Sequence, residues 1–387
     1  MTKKTINPPS KIGIIGGGQL GKMLAAIATQ MGYGVWVLDP KQDAPAAVFS
    51  EKHICRPFSD KEALLSLAKG TSVLTYEFEH LDLEGLRFVE EHGYRICPSA
   101  NLLAMIQDKL VQKKYLYDNG IPVPNFVSCE DEQGLKELFK SAEQGVVVKS
   151  RRDGYDGKGT WFFDHIDQMQ ALDRKKFYAE QKILLQKEVS VMVARNLYDK
   201  KVYPVAENIH DDGILTQSLV PAKISRALEN QVIEIALTVS DVFKDEGLLC
   251  IEMFIDENDQ IYVNEIAPRA HNTGHYTIEA CEVSQYEQWL RILTGMPLGS
   301  DNMHSHSAML NVLGSKDVDG LYWIEGLEEA LEFENVHFHF YNKSMTQHRK
   351  KIGHITSLDQ TTEQALKKAK QALEKIVFKE RNEISSQ

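Results

Sequence analysis

No apolar run in this chain approaches the roughly 20 residues that a membrane-crossing helix needs, so no membrane partner is expected. Cysteine is sparse: Cys55, Cys97, Cys129, Cys250 and Cys281 are scattered, odd in number and without a C-x-x-C pair. That spacing speaks against a disulfide framework or a zinc site made of cysteines, and it fits a reducing, cytoplasmic setting. Positive charge is in deficit too. Lys and Arg total 44 against 55 Asp and Glu, a net charge of −11. Non-specific binding to nucleic acid is therefore disfavoured, although a local basic site for a small phosphate is not. The opening MTKKTINPPS has lysines but no apolar core, so a secretory signal is not expected. No H-E-x-x-H occurs, and His271/His275, His304/His306 and His337/His339 each lack an apparent third ligand, so zinc is not expected there. The alternating HFHF at 337–340 reads as the solvent face of a strand.

What is present is a chain of 387 residues, 43% hydrophobic, enough for two or three domains. The first hundred residues alternate strand and helix: KIGIIG, a helix ending at Gly32, YGVWVLD, a helix over SDKEALLSLAKG, TSVLTYE, a further helix, then YRICPS as a strand. That pattern predicts a doubly wound parallel α/β unit. Residues 100–120 read as one amphipathic helix, and IPVP after it as a hinge. A small α/β region follows, with a helix over DQMQALDRKK. From about 190 onward the strands are mainly antiparallel, and a charged helix, TTEQALKKAKQALEKI, closes the pattern.

Three stretches carry chemistry. Gly16, Gly18 and Gly21 stand in G-x-G-x-x-G spacing after the first strand, and Asp39 ends the next one. This is the dinucleotide fingerprint, and an NAD-dependent oxidoreductase is one reading of it. The same turn can cradle any anionic group on helix amides. The second stretch, VVVKSRRDGYDGKGTWFF, sets Lys149 at a strand end before a glycine-rich hairpin whose amides and Lys158 suit phosphates. In the third, CIEMFIDENDQIYVNEIAPRAHN, a hairpin brings Glu252 and Glu265 together inside apolar strands. Buried carboxylates need a cation, and with Asn264 beside them they suit Mg²⁺ facing phosphate oxygens.

Taken together, Lys149, the GYDGKG flap, Glu188 in QKEVSV, Glu252 and NEIAPRAHNTGHY resemble the ATP-grasp superfamily. Within it, GIIGGGQLGKM, LDP, TYEFE and the late GH are similar to the N5-carboxyaminoimidazole ribonucleotide synthetase family, over about Lys11 to Leu358. The resemblance implies an ATP-grasp fold of mixed α/β and α+β class. Its parts would be a Rossmann-like domain at 1–108, a central lid domain at 109–190 and a mainly antiparallel domain at 191–387. It implies a ligase joining 5-aminoimidazole ribonucleotide to bicarbonate with ATP as co-substrate, Mg²⁺ or Mn²⁺ as metal, and a homodimer as assembly. A formate-dependent glycinamide ribonucleotide transformylase or a biotin carboxylase would be another ligase of the same superfamily.

By the same resemblance Lys149 and the flap residues Gly154, Tyr155, Asp156, Gly157, Lys158, Gly159 and Thr160 would hold ATP phosphates. Glu180 and Ile183 would flank adenine, Glu188 would bind ribose, and His210, Asn264 and Glu265 would complete the nucleotide site. Lys109 stands where the family often has arginine, which keeps the charge but not the planar fork. Glu252 and Glu265 would bind the metal. Arg269, His271 and Asn272 would face the carboxylating centre, with Arg269, Lys149 and His271 as catalytic groups and Tyr155 as a substrate contact. Gln19, Leu20 and Glu77 would face the nucleotide substrate, whose 5′-phosphate would meet the opening glycine turn, Lys343 and either Arg349 or Lys350, with Lys351 adjacent.

Overall fold

A computed structural model of the chain describes residues 5–152, 154, 159–169 and 172–381. The first sheet is parallel, in the order β3-β2-β1-β4, from β1 (Lys11–Ile15), β2 (Gly34–Leu38), β3 (Lys52–Ile54) and β4 (Val73–Tyr76). The residues of β1, β2 and β4 are nearly all apolar because helices cover the sheet. Those helices are α1 (Gln19–Gln30), α2 (Lys61–Gly70) and α3 (Leu83–Glu91). Asp60 and Asp82 start α2 and α3 by accepting from free amides of the first turn. The expected strand YRICPS is reduced to a single bridge between Ile96 and Leu74. Pro98 has no amide to donate, and Ser99 already caps the next helix.

The expected helix over 100–120 is two helices, α4 (Ala100–Gln107) and α5 (Lys109–Asp118). Asp108 breaks it. Its backbone is extended, at φ −100° and ψ 107°, and its carboxylate accepts from the amides of Leu110 and Val111. Apolar periodicity cannot register such an internal cap. The central sheet is antiparallel, β5-β8-β6-β7, made of β5 (Phe126–Ser128), β6 (Val146–Ser150), β7 (Thr160–Phe163) and β8 (Phe177–Gln181), with α6 (Glu132–Ser141) packed on it. The helix expected over DQMQALDRKK is not formed. Ile166–Met169 and Arg174–Lys176 are short 3₁₀ turns, and Gln170 and Ala171 lie outside the described residues. Of the first turn only Met169 is buried, too little apolar face to hold a longer helix.

The remaining elements are β9 (Leu185–Arg195), β10 (Lys200–Val202), β11 (Ala206–Asp211), β12 (Ile214–Val220), α7 (Arg226–Phe243), β13 (Gly247–Asp256), β14 (Ile261–Ala267), α8 (Thr277–Ala280), α9 (Gln285–Thr294) and β15 (His306–Leu313). They continue with β16 (Gly320–Glu325), α10 (Leu327–Leu331), β17 (Val336–Phe340), β18 (Met345–Thr346), β19 (Lys351–Asp359), α11 (Thr362–Leu373) and β20 (Val377–Glu380). One antiparallel sheet runs β14-β13-β9-β11-β12-β15-β19-β17, with β10 on β9, and β18-β16-β20 form a small separate sheet. The boundary expected at 190 therefore falls inside β9.

Two joints fix the site between these sheets. At the edge strand β14, Gln112 of α5 accepts from the Ile266 amide (3.1 Å) and donates to the Ile266 carbonyl (3.3 Å), closing an edge that would otherwise be bare. On the other side Trp289 of α9 is fully buried against the first unit and donates to Thr75 of β4 (3.1 Å). No described helix is long and apolar enough to cross a membrane.

Candidate active site

The acidic pair comes from strand pairing. Glu252 on β13 stands directly opposite Glu265 on β14. Glu265 is held by Lys109 at the start of α5, and that lysine outweighs burial to keep the carboxyl below its ordinary range. Burial also works against the Lys109 charge, but Glu265 keeps it above the usual lysine range. Glu252 has no such lysine. Burial, and then the charge of Glu265, push its carboxyl up to about 7. A half-buried acid pair of which only Glu265 has a lysine ion pair is what a dication stabilises, and the oxygen donors suit Mg²⁺. The two glutamates therefore fit that metal.

Next to them lies a buried cation network. Lys149 at the end of β6 pairs with Glu180 and donates to Asn264 Oδ1 (2.9 Å). Lys113, only 1% exposed, donates to the carbonyls of Val263 (3.2 Å) and Asn264 (2.9 Å) and lies 3.3 Å from Glu180. Burial would raise the Glu180 carboxyl, but the two lysines hold it at about 2. Burial, with Lys149 adding to it, brings Lys113 down to about 8. Glu180 is thus occupied in orienting Lys149, whereas flanking adenine was expected of it. Ile183, half-buried, follows on the link to β9. Glu188 of β9 and His210 of β11 lie 2.7 Å apart, and Glu188 outweighs burial to raise the imidazole above its usual range. Thr160 pairs with Lys149 in register across β6 and β7. Gly159 has φ +83°, where a side chain would be strained and would meet Ser150. Tyr155, Asp156, Gly157 and Lys158 lie outside the described residues, and Gly154 is half-buried.

Arg269, just past β14, is gripped by Glu79 through Nε (2.6 Å) and Nη2 (2.9 Å). Burial opposes both charges, yet Arg269 holds Glu79 at about 2. The bidentate grip leaves the guanidinium little freedom. His271 is held through its backbone by Gln285 of α9, which accepts from its amide (2.9 Å) and donates to its carbonyl (2.8 Å). Burial, then Arg269 and Lys351, lower its imidazole to about 3, so it stays neutral. Asn272 donates to Asn311 (3.1 Å), and its buried Oδ1 has no partner.

The opening glycine turn corrects an expectation. Its amides are already taken: Gly17 donates to Asp39 (2.7 Å), and Gly18 and Gly21 donate to the Glu77 carboxylate, the latter at 2.7 Å. A Cβ on Gly18 would meet Glu77 Oε1 at 2.6 Å. The Gly17, Gly18 and Gly21 amides are therefore not free for a pyrophosphate or a ribose phosphate, and the distal acid Asp39 serves its own chain. Leu20 is 7% exposed and packs in the core with Leu24, so its side chain does not face a substrate. Gln19 accepts from Lys343 (3.0 Å), which brings these two expected residues together across the molecule. Lys22 of α1 comes beside them, donating to Phe340 O (2.6 Å), and nothing in its spacing signalled that.

Of the late basic run, Arg349 is tied to Asp211, and Lys350 donates to Met345 O (2.7 Å). Lys351 is the one whose charge acts on His271 and His210. Among the described residues His275 joins no metal cluster with His271. Its ring stacks on His354 at 4.2 Å, and His354 stacks on His339 at 4.6 Å. His339 thus faces inward, 2.6 Å from Glu279, unlike the exposed His337, and HFHF is not simply a solvent face.

A glycine-hairpin lysine, paired acids on an antiparallel hairpin and a half-buried asparagine between them define an ATP-grasp ligase. The ATP-grasp domain model matches residues 114–286, the ribonucleotide synthetase preATP-grasp domain model 10–107, and the phosphoribosylaminoimidazole carboxylase C-terminal domain model 307–368. The N5-carboxyaminoimidazole ribonucleotide synthase of Bacillus subtilis is 36% identical over 93% of this chain and 94% of its own. The synthetase of Thermotoga maritima has a solved structure with TM-score 0.88 and 39% identity, over 96% of this chain and 100% of that one. The Aspergillus clavatus synthase, solved in complex with ADP and 5-aminoimidazole ribonucleotide, has TM-score 0.85 and 30% identity, over 95% and 98%. The chain belongs to the N5-carboxyaminoimidazole ribonucleotide synthase family.

Proposed function

We propose that the protein carboxylates 5-aminoimidazole ribonucleotide on its exocyclic amine with bicarbonate, converting ATP to ADP and phosphate in purine biosynthesis. The observation that carries this reading is the convergence of Lys149, Asn264 and the Glu252/Glu265 pair with the clamped Arg269 and neutral His271, in a chain that a member of that family matches over 93% of its length. The filled glycine turn removes the main support for an NAD enzyme.

Bicarbonate is a poor electrophile. A bicarbonate oxygen attacks the γ-phosphorus, ADP leaves, and carboxyphosphate forms. The amine nitrogen then takes the carboxyl carbon, phosphate leaves with the electron pair of the broken C–O bond, and the amine proton is lost. In such transfers the protein chiefly positions groups and neutralises charge. Lys149 and Arg269 do this with ammonium and guanidinium groups already oriented by Glu180 and Glu79. Glu252 and Glu265 would hold Mg²⁺, whose contribution is to offset phosphate charge. Glu188 and His210 bind the ribose of ATP, and Gln19, Lys343 and Lys351 take the substrate nucleotide. The assembly is a homodimer and the setting cytoplasmic in this reading.

The test is phosphate release from ATP with Mg²⁺ and bicarbonate, with and without 5-aminoimidazole ribonucleotide. Strong stimulation by that nucleotide is expected. Stimulation instead by formate and glycinamide ribonucleotide would replace the substrate assignment.

A further inference from the structure

Among the described residues one trio, Cys250, Glu252 and His271, brings a sulfur, a carboxylate oxygen and a ring nitrogen all within 4.8 Å of one another. Cys250 and Glu252 are two apart on β13 and so share a face. His271 arrives from the turn after β14, its Nε2 3.4 Å from Glu252 Oε1. A tetrahedral zinc ion with ordinary bond lengths sets neighbouring N, O and S donors about 3.3–3.6 Å apart, so this edge is already at the required length. Thr273 Oγ1 supports both other donors, 3.1 Å from His271 Nδ1 and 3.5 Å from Cys250 Sγ. The Thr273 amide also donates to Nδ1 (3.4 Å), so Thr273 orients the ring with Nε2 toward Glu252, the positioning role that outer partners play for metal-bound histidine.

We propose that Cys250, Glu252 and His271 form a site for a thiophilic divalent cation of the zinc class, and that its occupancy inhibits the enzyme by withdrawing Glu252. The site is new to the extent of Cys250. Mg²⁺ prefers oxygen donors and has little use for thiolate and imidazole, whereas zinc takes all three. Binding releases the thiol proton to solvent and changes no oxidation state. Thiolate and carboxylate then balance the dication, so a neutral assembly replaces a buried charge imbalance. The cation-binding part stands on these three residues alone; the inhibitory part rests on the functional reading above.

The experiment uses Co²⁺ and Zn²⁺ on the whole protein after chelator treatment. Co²⁺ bound by thiolate absorbs strongly in the near ultraviolet. The band is expected at about one equivalent in the parent protein and in Cys55→Ser, which removes the exposed thiol, and is expected to vanish in Cys250→Ser and Cys250→Ala. Zn²⁺ inhibition of nucleotide-dependent phosphate release is expected to weaken at least about 10-fold in the Cys250 variants, the least that losing even an outer partner costs, with basal turnover retained. A band that survives in both Cys250 variants, or is missing from the parent, overturns the site. A band that behaves as expected in a protein without nucleotide-dependent turnover upholds the site and refutes the functional reading instead.

Discussion

Glu180 is a residue whose two tasks can be separated by measurement. It is 2% exposed and serves both Lys113 and Lys149. Removing one partner of a buried ion pair costs about 3–5 kcal/mol, because the remaining charge stays desolvated. Glu180→Gln should therefore lower the unfolding free energy from urea curves at neutral pH by that amount. The carboxyl sits at about 2 when folded against an ordinary 4.5. Its contribution is thus full above about pH 4.5 and is lost as pH falls toward 2. Urea curves from pH 6 to 3 should show the parent losing stability faster than the variant; parallel losses would refute the pairing. Glu265→Gln should cut phosphate release at least about 100-fold, as loss of one group that stabilises developing charge does, while the circular dichroism spectrum stays that of the parent. Near-normal turnover would reject the metal assignment. The acid pair was legible in the sequence because a carboxylate inside an apolar strand stands out. The partners were not: Glu79 and Arg269 are 190 positions apart, and Lys113 looks like any lysine on a polar helix. The burial of the Leu20 side chain was not legible, because a motif position says nothing of which way a side chain packs.

At the scale of elements, Asp108 divides one amphipathic run into α4 and α5 and sets Lys109 over Glu265. Its carboxylate both caps α5 and grips Arg151 through Nε and Nη2 (2.7 Å for the latter). Asparagine caps about as well as aspartate but carries no charge. Asp108→Asn should therefore lose only the ion pair, and Asp108→Ala should cost about 1 kcal/mol more by thermal or urea unfolding. Equal losses would mean that the cap contributes nothing. The parallel α/β character of the first unit followed from its βα alternation. The capping break did not, since both halves share one apolar stripe, and neither did the failure of the expected YRICPS strand, which hangs on its own Pro98 and Ser99.

Across the whole molecule, one sheet from β14 to β17 carries Glu265, Glu252, Glu188 and His210 at one end and reaches the basic run at the other. The late segment returns to the first unit, where Lys343 meets Gln19. Local patterning showed many short antiparallel strands but not that they form one sheet, because pairings such as β12 with β15 join residues about 90 positions apart. The same closure explains why the opening glycine motif misleads when read alone: Glu77 arrives from β4 to fill it. Lys343→Met should raise the KM for 5-aminoimidazole ribonucleotide about 10- to 100-fold, the range for losing a charged hydrogen bond, with the KM for ATP unchanged; equal changes in both would place Lys343 elsewhere. The most direct test of the central claim is carbon-13 bicarbonate incorporation into 5-aminoimidazole ribonucleotide, followed by NMR alongside ADP. The account predicts one labelled carboxylate on the exocyclic nitrogen for each ADP formed, and none from Glu265→Gln. ADP formed without labelled product, or label on a carbon of the imidazole ring, would contradict it.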